Sequence, residues 1–181
     1  SVIADRIEAG TFMVAAAITQ GDITLYKSIA SHNGALIDKL RQAGVQVQMN
    51  NGSVRVKGSG KLRPVDVTTL PYPGFPTDLQ AQMMSLMCVT PGICVITEKV
   101  YPDRFMHISE LNRMGSKIML EGSSAIVSGV KRLSGANVMA SDLRASAALV
   151  LAGLVAEDRT DIYRVYHLDR GYEKIEEKFS G

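Results

Sequence analysis

Glycines recur along this chain at matched distances. Gly21 and Gly44 are 23 residues apart, and so are Gly92 and Gly115. Gly44 and Gly58 are 14 apart, and so are Gly115 and Gly129. Agreement at two independent markers points to an internal repeat, and the apolar pattern between the markers repeats as well. Asp5 to Thr19 reads as a helix with Phe12, Ala15, Ala16 and Ile18 apolar, capped by Asp5 and stopped by Gly21. The strand Ile23 to Tyr26 follows, then a helix from about Asn33 to Ala43 with Leu36, Ile37 and Leu40 on one face and Gly44 as its stop. Val45 and Val47 alternate with polar residues, Asn51-Gly52 turns, and Val54 and Val56 alternate again, which predicts a hairpin. The order then returns: a helix from Asp78 ending near Gly92, a strand Ile93 to Ile96, a helix with Ile108 and Leu111, and a hairpin turning at Gly122-Ser123. A third copy starts at Ser141-Asp142, with a helix carrying Leu143, Ala147, Val150, Leu151 and Leu154. A strand-like run Ile162 to Tyr166 and a helix with Ile175 and Phe179 follow, without a closing hairpin.

The predicted unit is helix, strand, helix, hairpin, preceded by an incoming strand such as Val65-Asp66-Val67 or Ala136-Asn137-Val138. The repeats span about residues 1–64, 65–133 and 134–181 of what reads as a single domain. Each unit has too little apolar face to stand alone, so the copies should pack around shared helices. With 46% hydrophobic residues the chain can build a sizeable core. Its net charge of +2 gives no polyelectrolyte case for nucleic acid or an anionic membrane surface. No apolar run reaches about 18 residues, so no membrane span is expected. Cys88 and Cys94 lie in apolar surroundings without a CxxC pattern and read as a buried, reduced, cytosolic pair. The opening residues are no signal peptide and read as the inside of a longer protein, already in mid-element.

Chemistry is expected at the junctions between elements. In Phe75-Pro76-Thr77-Asp78-Leu79-Gln80-Ala81-Gln82 a loop ends and a helix begins, because Pro76 holds Phe75 extended and Thr77 and Asp78 are both N-cap types. On pattern alone a capping role is the commoner one for Asp78. The corresponding junctions carry Arg104, then Asp142 and Arg144, then Asp169-Arg170. Three arginines on loops leaving one face could converge on a multiply charged anion, since a guanidinium fork matches phosphate and carboxylate oxygens. The competing reading pairs each with its neighbour: Arg104 with Asp103, Arg144 with Asp142, Arg170 with Asp169. His107 reads as a structural hydrogen-bonder, His167 as packing and His32 as a loop or cap residue. Met83, Met84 and Met87 read as core filler, and Glu173 to Lys178 as a solvated helix face.

Four stretches resemble one family. They are Phe75 to Gln82, Arg104-Phe105-Met106-His107 through Glu110-Leu111-Asn112-Arg113-Met114-Gly115, Asp142-Leu143-Arg144-Ala145-Ser146, and Tyr166-His167-Leu168-Asp169-Arg170-Gly171-Tyr172-Glu173. Together with Asp5-Arg6-Ile7-Glu8 and Gly10-Thr11-Phe12 they are similar to the UDP-N-acetylglucosamine enolpyruvyl transferases, in family order over nearly the whole chain. The sister family, which acts on shikimate 3-phosphate, shares the fold but not these motif words.

The resemblance implies an inside-out α/β barrel domain of three repeats in pseudo-threefold arrangement, helices inside and sheets outside, with the third unit truncated. It also implies a second, N-terminal-half domain, absent here, with the active site in the cleft between the two. By the resemblance, Asp78 contacts the sugar 3-hydroxyl and acts as general base, with Thr77 beside it. The backbone near Val100 contacts the nucleotide sugar. Arg104, Arg144 and Arg170 face phosphoenolpyruvate, and Asp142 helps order the site. The family's loop acid, usually Cys, belongs to the other domain, and neither Cys88 nor Cys94 matches it. The implied reaction is cytoplasmic, opens peptidoglycan synthesis and needs no metal or organic cofactor. The alternatives are a non-catalytic domain that binds a nucleotide sugar or assembles with a companion half, and a shikimate-pathway transferase.

Overall fold

The computed structural model describes residues 5–26, 30–172 and 174–180. The opening residues 1–4, read above as mid-element, and Glu173, read as the start of a solvated face, lie outside the described residues. The first unit is α1 (Arg6–Ile18), β1 (Asp22–Tyr26), α2 (Gly34–Gln42) and the hairpin β2 (Gln46–Asn50) with β3 (Ser53–Lys57). The second is β4 (Val67–Thr68), α3 (Gln80–Cys88), β5 (Ile93–Thr97), α4 (His107–Arg113) and the hairpin β6 (Lys117–Glu121) with β7 (Ser124–Ser128). The third segment holds β8 (Leu133–Ser134), β9 (Asn137–Met139), α5 (Leu143–Gly153), β10 (Ala156–Glu157), β11 (Asp161–Tyr163) and α6 (Ile175–Ser180).

The sheets repeat in topology as well as in sequence. β1, β3 and β2 form one sheet in that order, and β5, β7 and β6 form another in the same order and sense. β4 runs parallel to β5, and β9 runs parallel to β11 in the same way. A parallel pair β8–β10, which the pattern did not signal, ties the segment after the second hairpin to the end of α5. The third strand is shorter than the run Ile162 to Tyr166 suggested. Arg164 takes a left-handed φ of 62°, which ends β11 and starts a 3-10 turn over Val165–Arg170.

α1, α3 and α5 pack on one another. Every residue of α3 is buried, and α1 is buried over most of its surface. This explains why neither shows the one-sided apolar stripe of a surface helix. Met83, Met84 and Met87 fill the core as expected. A buried polar cluster links the units: Tyr172 Oη lies 2.8 Å from Thr11 Oγ1 of α1, and Gln82 Nε2 of α3 donates to that hydroxyl at 3.1 Å. Lys174, Glu176, Glu177 and Lys178 are exposed as expected while Ile175 between them is buried, and Lys178 reaches Glu8 on α1. Cys88 and Cys94 are buried and free, and burial pushes both thiols up to about 12. Among the described residues no helix is long and apolar enough to cross a membrane.

The repeated glycines have a common physical cause. Gly58 N–H donates to Gly21 O at 2.9 Å, and Gly129 N–H donates to Gly92 O at the same distance. Each hairpin therefore closes onto the turn that ended its unit's first helix. The chains touch there: a Cβ on Gly58 would lie 2.5 Å from Gln20 Cα, and one on Gly129 would lie 1.7 Å from Thr90 O. Gly129→Ala is expected to lower stability by about 1–3 kcal/mol, because rigid backbone has to move. Thermal melts read this as a drop of several degrees, with Gly34→Ala as the comparison, since no heavy atom lies within 4 Å of a Cβ there and its φ is not left-handed. An unchanged midpoint for Gly129→Ala would contradict the close approach.

Candidate active site

Thr77 and Asp78 stand at the entrance to α3, but neither caps it. A 3-10 turn over Thr77–Leu79 leads into the helix, with Leu79 N–H donating to Pro76 O and Gln80 N–H to Thr77 O. The backbone satisfies those amides itself, so both side chains are released for other partners. The capping role expected for Asp78 is corrected on this ground.

Asp78 Oδ1 accepts from Arg104 Nη1 at 2.9 Å and from Arg144 Nε at 3.3 Å. Arg104 comes from the loop between β5 and α4, and Arg144 from the first turn of α5. Two units thus converge on one carboxylate, and the neighbouring acids Asp103 and Asp142 do not take these guanidiniums. Among the described residues nothing donates to Asp78 Oδ2, and the side chain is 35% exposed. Two guanidiniums around one carboxylate leave a local positive charge, which suits an anionic ligand.

Asp142 acts through the backbone. Its Oδ1 accepts from Arg144 N at 2.7 Å and Ala145 N at 2.9 Å, capping α5 and setting the turn from which Arg144 projects. Arg170 does not join Asp78. It is exposed on the 3-10 turn after β11 and has no ion pair or hydrogen bond among the described residues, Asp169 included. The adjoining Gly171 lies against Leu143 at the start of α5, so the turn borders the pair without entering it. Val100 is half-buried, and its N–H is taken by Glu98 Oε1 at 2.8 Å.

Glu98 is the residue the sequence reading missed. It is fully buried and receives hydrogen bonds on both oxygens. Thr69 Oγ1, Val100 N–H and Tyr101 N–H donate to Oε1, and Thr77 Oγ1 donates to Oε2 at 2.9 Å. Thr69 and Thr77 lie 29 and 21 residues away, so no local spacing announces the cluster. The available signal was its position just before Val100 at the end of a predicted strand.

His107 is buried with its Nε2 unpartnered, which corrects the hydrogen-bonding role expected of it. Burial, and then the nearby Arg104, push its pKa down to about 4 against the pull of Asp142 and Glu98. It therefore stays neutral near pH 7 and packs against Phe105. His167 stacks on Tyr166, and His32 sits in a 3-10 turn before α2. Among the described residues no cluster of His, Cys, Asp and Glu could hold a metal. A hollow of about 270 Å³ opens beside Arg104, lined also by Tyr101, Met106 and Asp142. A larger one, about 550 Å³, lies where α1, α3 and α5 end, at Ile18, Val89 and Val155. Its charged lining is Lys61, Lys131 and Arg132, with no acid to accept a proton.

The chain matches the family described as EPSP synthase (3-phosphoshikimate 1-carboxyvinyltransferase) over residues 1–179. The UDP-N-acetylglucosamine 1-carboxyvinyltransferase of Desulfosudis oleivorans is 59% identical to it over 179 residues, which are 99% of this chain and 43% of that protein. The protein of the same name from Trichlorobacter lovleyi is 60% identical over 180 residues, again 99% of this chain and 43% of the relative. The crystal structure of the enolpyruvyl transferase NikO from Streptomyces tendae matches with a TM-score of 0.89 at 28% identity, over 99% of this chain and 43% of that one. EPSP synthase from Acinetobacter baumannii matches with a TM-score of 0.67 at 17% identity, over 90% and 39%, a likeness of fold alone. The chain thus spans about 43% of the length of the curated relatives it matches.

Proposed function

We propose, from the premise that the chain belongs to the EPSP synthase (3-phosphoshikimate 1-carboxyvinyltransferase) family, that it is one domain of an enzyme moving enolpyruvyl from phosphoenolpyruvate to the 3-hydroxyl of UDP-N-acetylglucosamine. It has the enolpyruvyl transferase fold. In this reading the units at about 1–64, 65–133 and 134–181 build an inside-out α/β barrel with pseudo-threefold arrangement. A companion domain closes the cleft. The observation that carries the reading is the convergence of Arg104 and Arg144 on Asp78, with the second oxygen of that carboxylate left open. The choice of acceptor rests on relatives 55–60% identical that share the UDP-N-acetylglucosamine 1-carboxyvinyltransferase name.

The chemistry follows from these groups. Without substrate, the carboxylate occupies the two guanidiniums. Phosphoenolpyruvate brings a phosphate and a carboxylate that compete for them, with Arg170 as a third cation on the adjoining turn. Asp78 is then the base that takes the proton of the 3-hydroxyl as its oxygen attacks C2. C3 gains a proton from an acid of the companion domain, giving a tetrahedral ketal. Loss of phosphate and of a C3 proton then restores the double bond. The arginines stabilise the phosphate charge throughout. Asp142 holds the Arg144 turn, and the backbone at Val100 with Thr77 borders the nucleotide sugar. Such an enzyme is expected to work in the cytoplasm at the start of peptidoglycan synthesis, without nucleic acid or membrane partners.

Phosphate release by an enzyme carrying this domain and its companion half tests the acceptor. UDP-N-acetylglucosamine is expected to support release, and shikimate 3-phosphate is not. The reverse preference would overturn the reading.

A further inference from the structure

We infer that Glu98 is a positioning residue that aims Arg104 at Asp78 by fixing the hydrogen-bond polarity of Thr77. The inference deepens the proposed function and rests on Asp78 and its arginines forming the reacting cleft. A hydroxyl carries one proton and can donate once. Thr77 Oγ1 gives that proton to Glu98 Oε2 at 2.9 Å, so only lone pairs remain to face Arg104. Arg104 Nη1 lies 3.1 Å from Thr77 Oγ1 and 2.9 Å from Asp78 Oδ1. The two protons on this nitrogen therefore meet two acceptors, set side by side by consecutive residues. Were the Thr77 proton turned towards Arg104, donor would face donor and one of these bonds would be lost.

Glu98 can impose that polarity because its own orientation is over-determined. Oε1 is taken by the Thr69 hydroxyl and the N–H groups of Val100 and Tyr101, at 2.8 and 3.0 Å for the two amides. That leaves Oε2 for Thr77. The same two amides begin the loop that carries Arg104, and the Tyr101 ring stacks against the guanidinium with 5.1 Å to its centroid. One buried carboxylate therefore fixes both the acceptor that Arg104 meets and the loop from which it reaches. It does so without touching substrate.

The substitution Glu98→Gln keeps shape and volume but puts an NH₂ where Oε2 was. Thr77 must then accept instead of donate, and its proton is turned loose towards Arg104. Thr77→Val removes the hydroxyl without altering the loop anchors. In an enzyme carrying this domain and its companion half, each change is expected to raise KM for phosphoenolpyruvate about tenfold or more, as for one lost hydrogen bond to a charged group. For Glu98→Gln, whose side chain meets only Thr69, Thr77 and the amides of Val100 and Tyr101, KM for the nucleotide sugar is expected to move far less. The double variant should be no worse than Glu98→Gln alone, since both act through one bond.

Side-chain NMR of Arg104 in this chain gives a readout independent of turnover. Its guanidinium rotation is expected to be slow in the wild type and freed in Thr77→Val. Wild-type KM values for both single variants, or effects that add in the double variant, would overturn the proposal. So would Arg104 signals indifferent to Thr77→Val, the arm that decides if Glu98→Gln does not fold. If Arg104 responds as expected but Asp78→Asn leaves turnover intact, the cleft reading falls and the positioning stands. If Asp78→Asn abolishes turnover while neither variant moves Arg104 or KM, the positioning falls and the cleft reading stands.

Discussion

Asp78→Asn, made in an enzyme that carries this domain and its companion half, is expected to cut turnover by about 10²–10⁴-fold, the usual contribution of a general base. The substitution isolates the proton-accepting role. An Asn can keep its carbonyl oxygen where Oδ1 accepts from Arg104 and Arg144, and place its NH₂ where Oδ2 meets no donor among the described residues. What disappears is the capacity to take a proton. Folding should be spared, because the Asp78 side chain caps no helix and Asn keeps an oxygen for both arginines. Asp78→Ala should lose activity as well, but it leaves two guanidiniums without their shared counter-charge and so mixes two effects. Phosphate release at saturating concentrations of both substrates, with a thermal melt of each variant, makes the measurement. Turnover close to wild type with Asn at this position would remove Asp78 from the base role.

Much of this architecture is legible because its causes are local. Asp5 caps α1 through Ile7 N, as its residue type suggested, while the helix ends at Thr19 with the left-handed φ on Gln20, one residue before the Gly21 read as its stop. Asn51-Gly52 turns the first hairpin with Gly52 at a φ of 80°, a conformation open to glycine at no steric cost. The glycine spacing announced the repeat because each of the first two units closes its hairpin where no Cβ fits, at Gly58 and Gly129. The site was legible in part. Arg104 and Arg144 do converge, but on Asp78 and not on their sequence neighbours, and neighbour pairing is all that a linear reading can test. Asp78 read as a cap because Thr and Asp before a helix usually are caps. Here a backbone turn relieved them of that duty. Glu98 was invisible for a deeper reason. A single Glu at a strand end reads as solvent-facing, and only the fold brings Thr69 and Thr77 to it.

This chain on its own is expected to release no phosphate from phosphoenolpyruvate and UDP-N-acetylglucosamine above the rate without protein. The proposed reaction needs a base, an anion clamp and an acid that protonates C3, held together in a closed cleft. In the proposed reading, Asp78 and its arginines are the first two. The described residues offer no evident acid: Cys88 and Cys94 are buried with thiols pushed up to about 12, and His107 is buried and neutral near pH 7. The proposed cleft also needs a second wall. Loops that carry or border the site expose Tyr72, Tyr101, Met106 and Tyr166, apolar surface of the kind a companion domain would cover. Relatives more than twice as long have the length to supply such a domain. Adding a separately produced companion half should restore phosphate release, in proportion to the complex formed, and Asp78→Asn in this half should abolish the recovery. Clear turnover by the purified chain alone would mean that the acid and the closed site lie within these residues, and the two-domain reading would have to be given up.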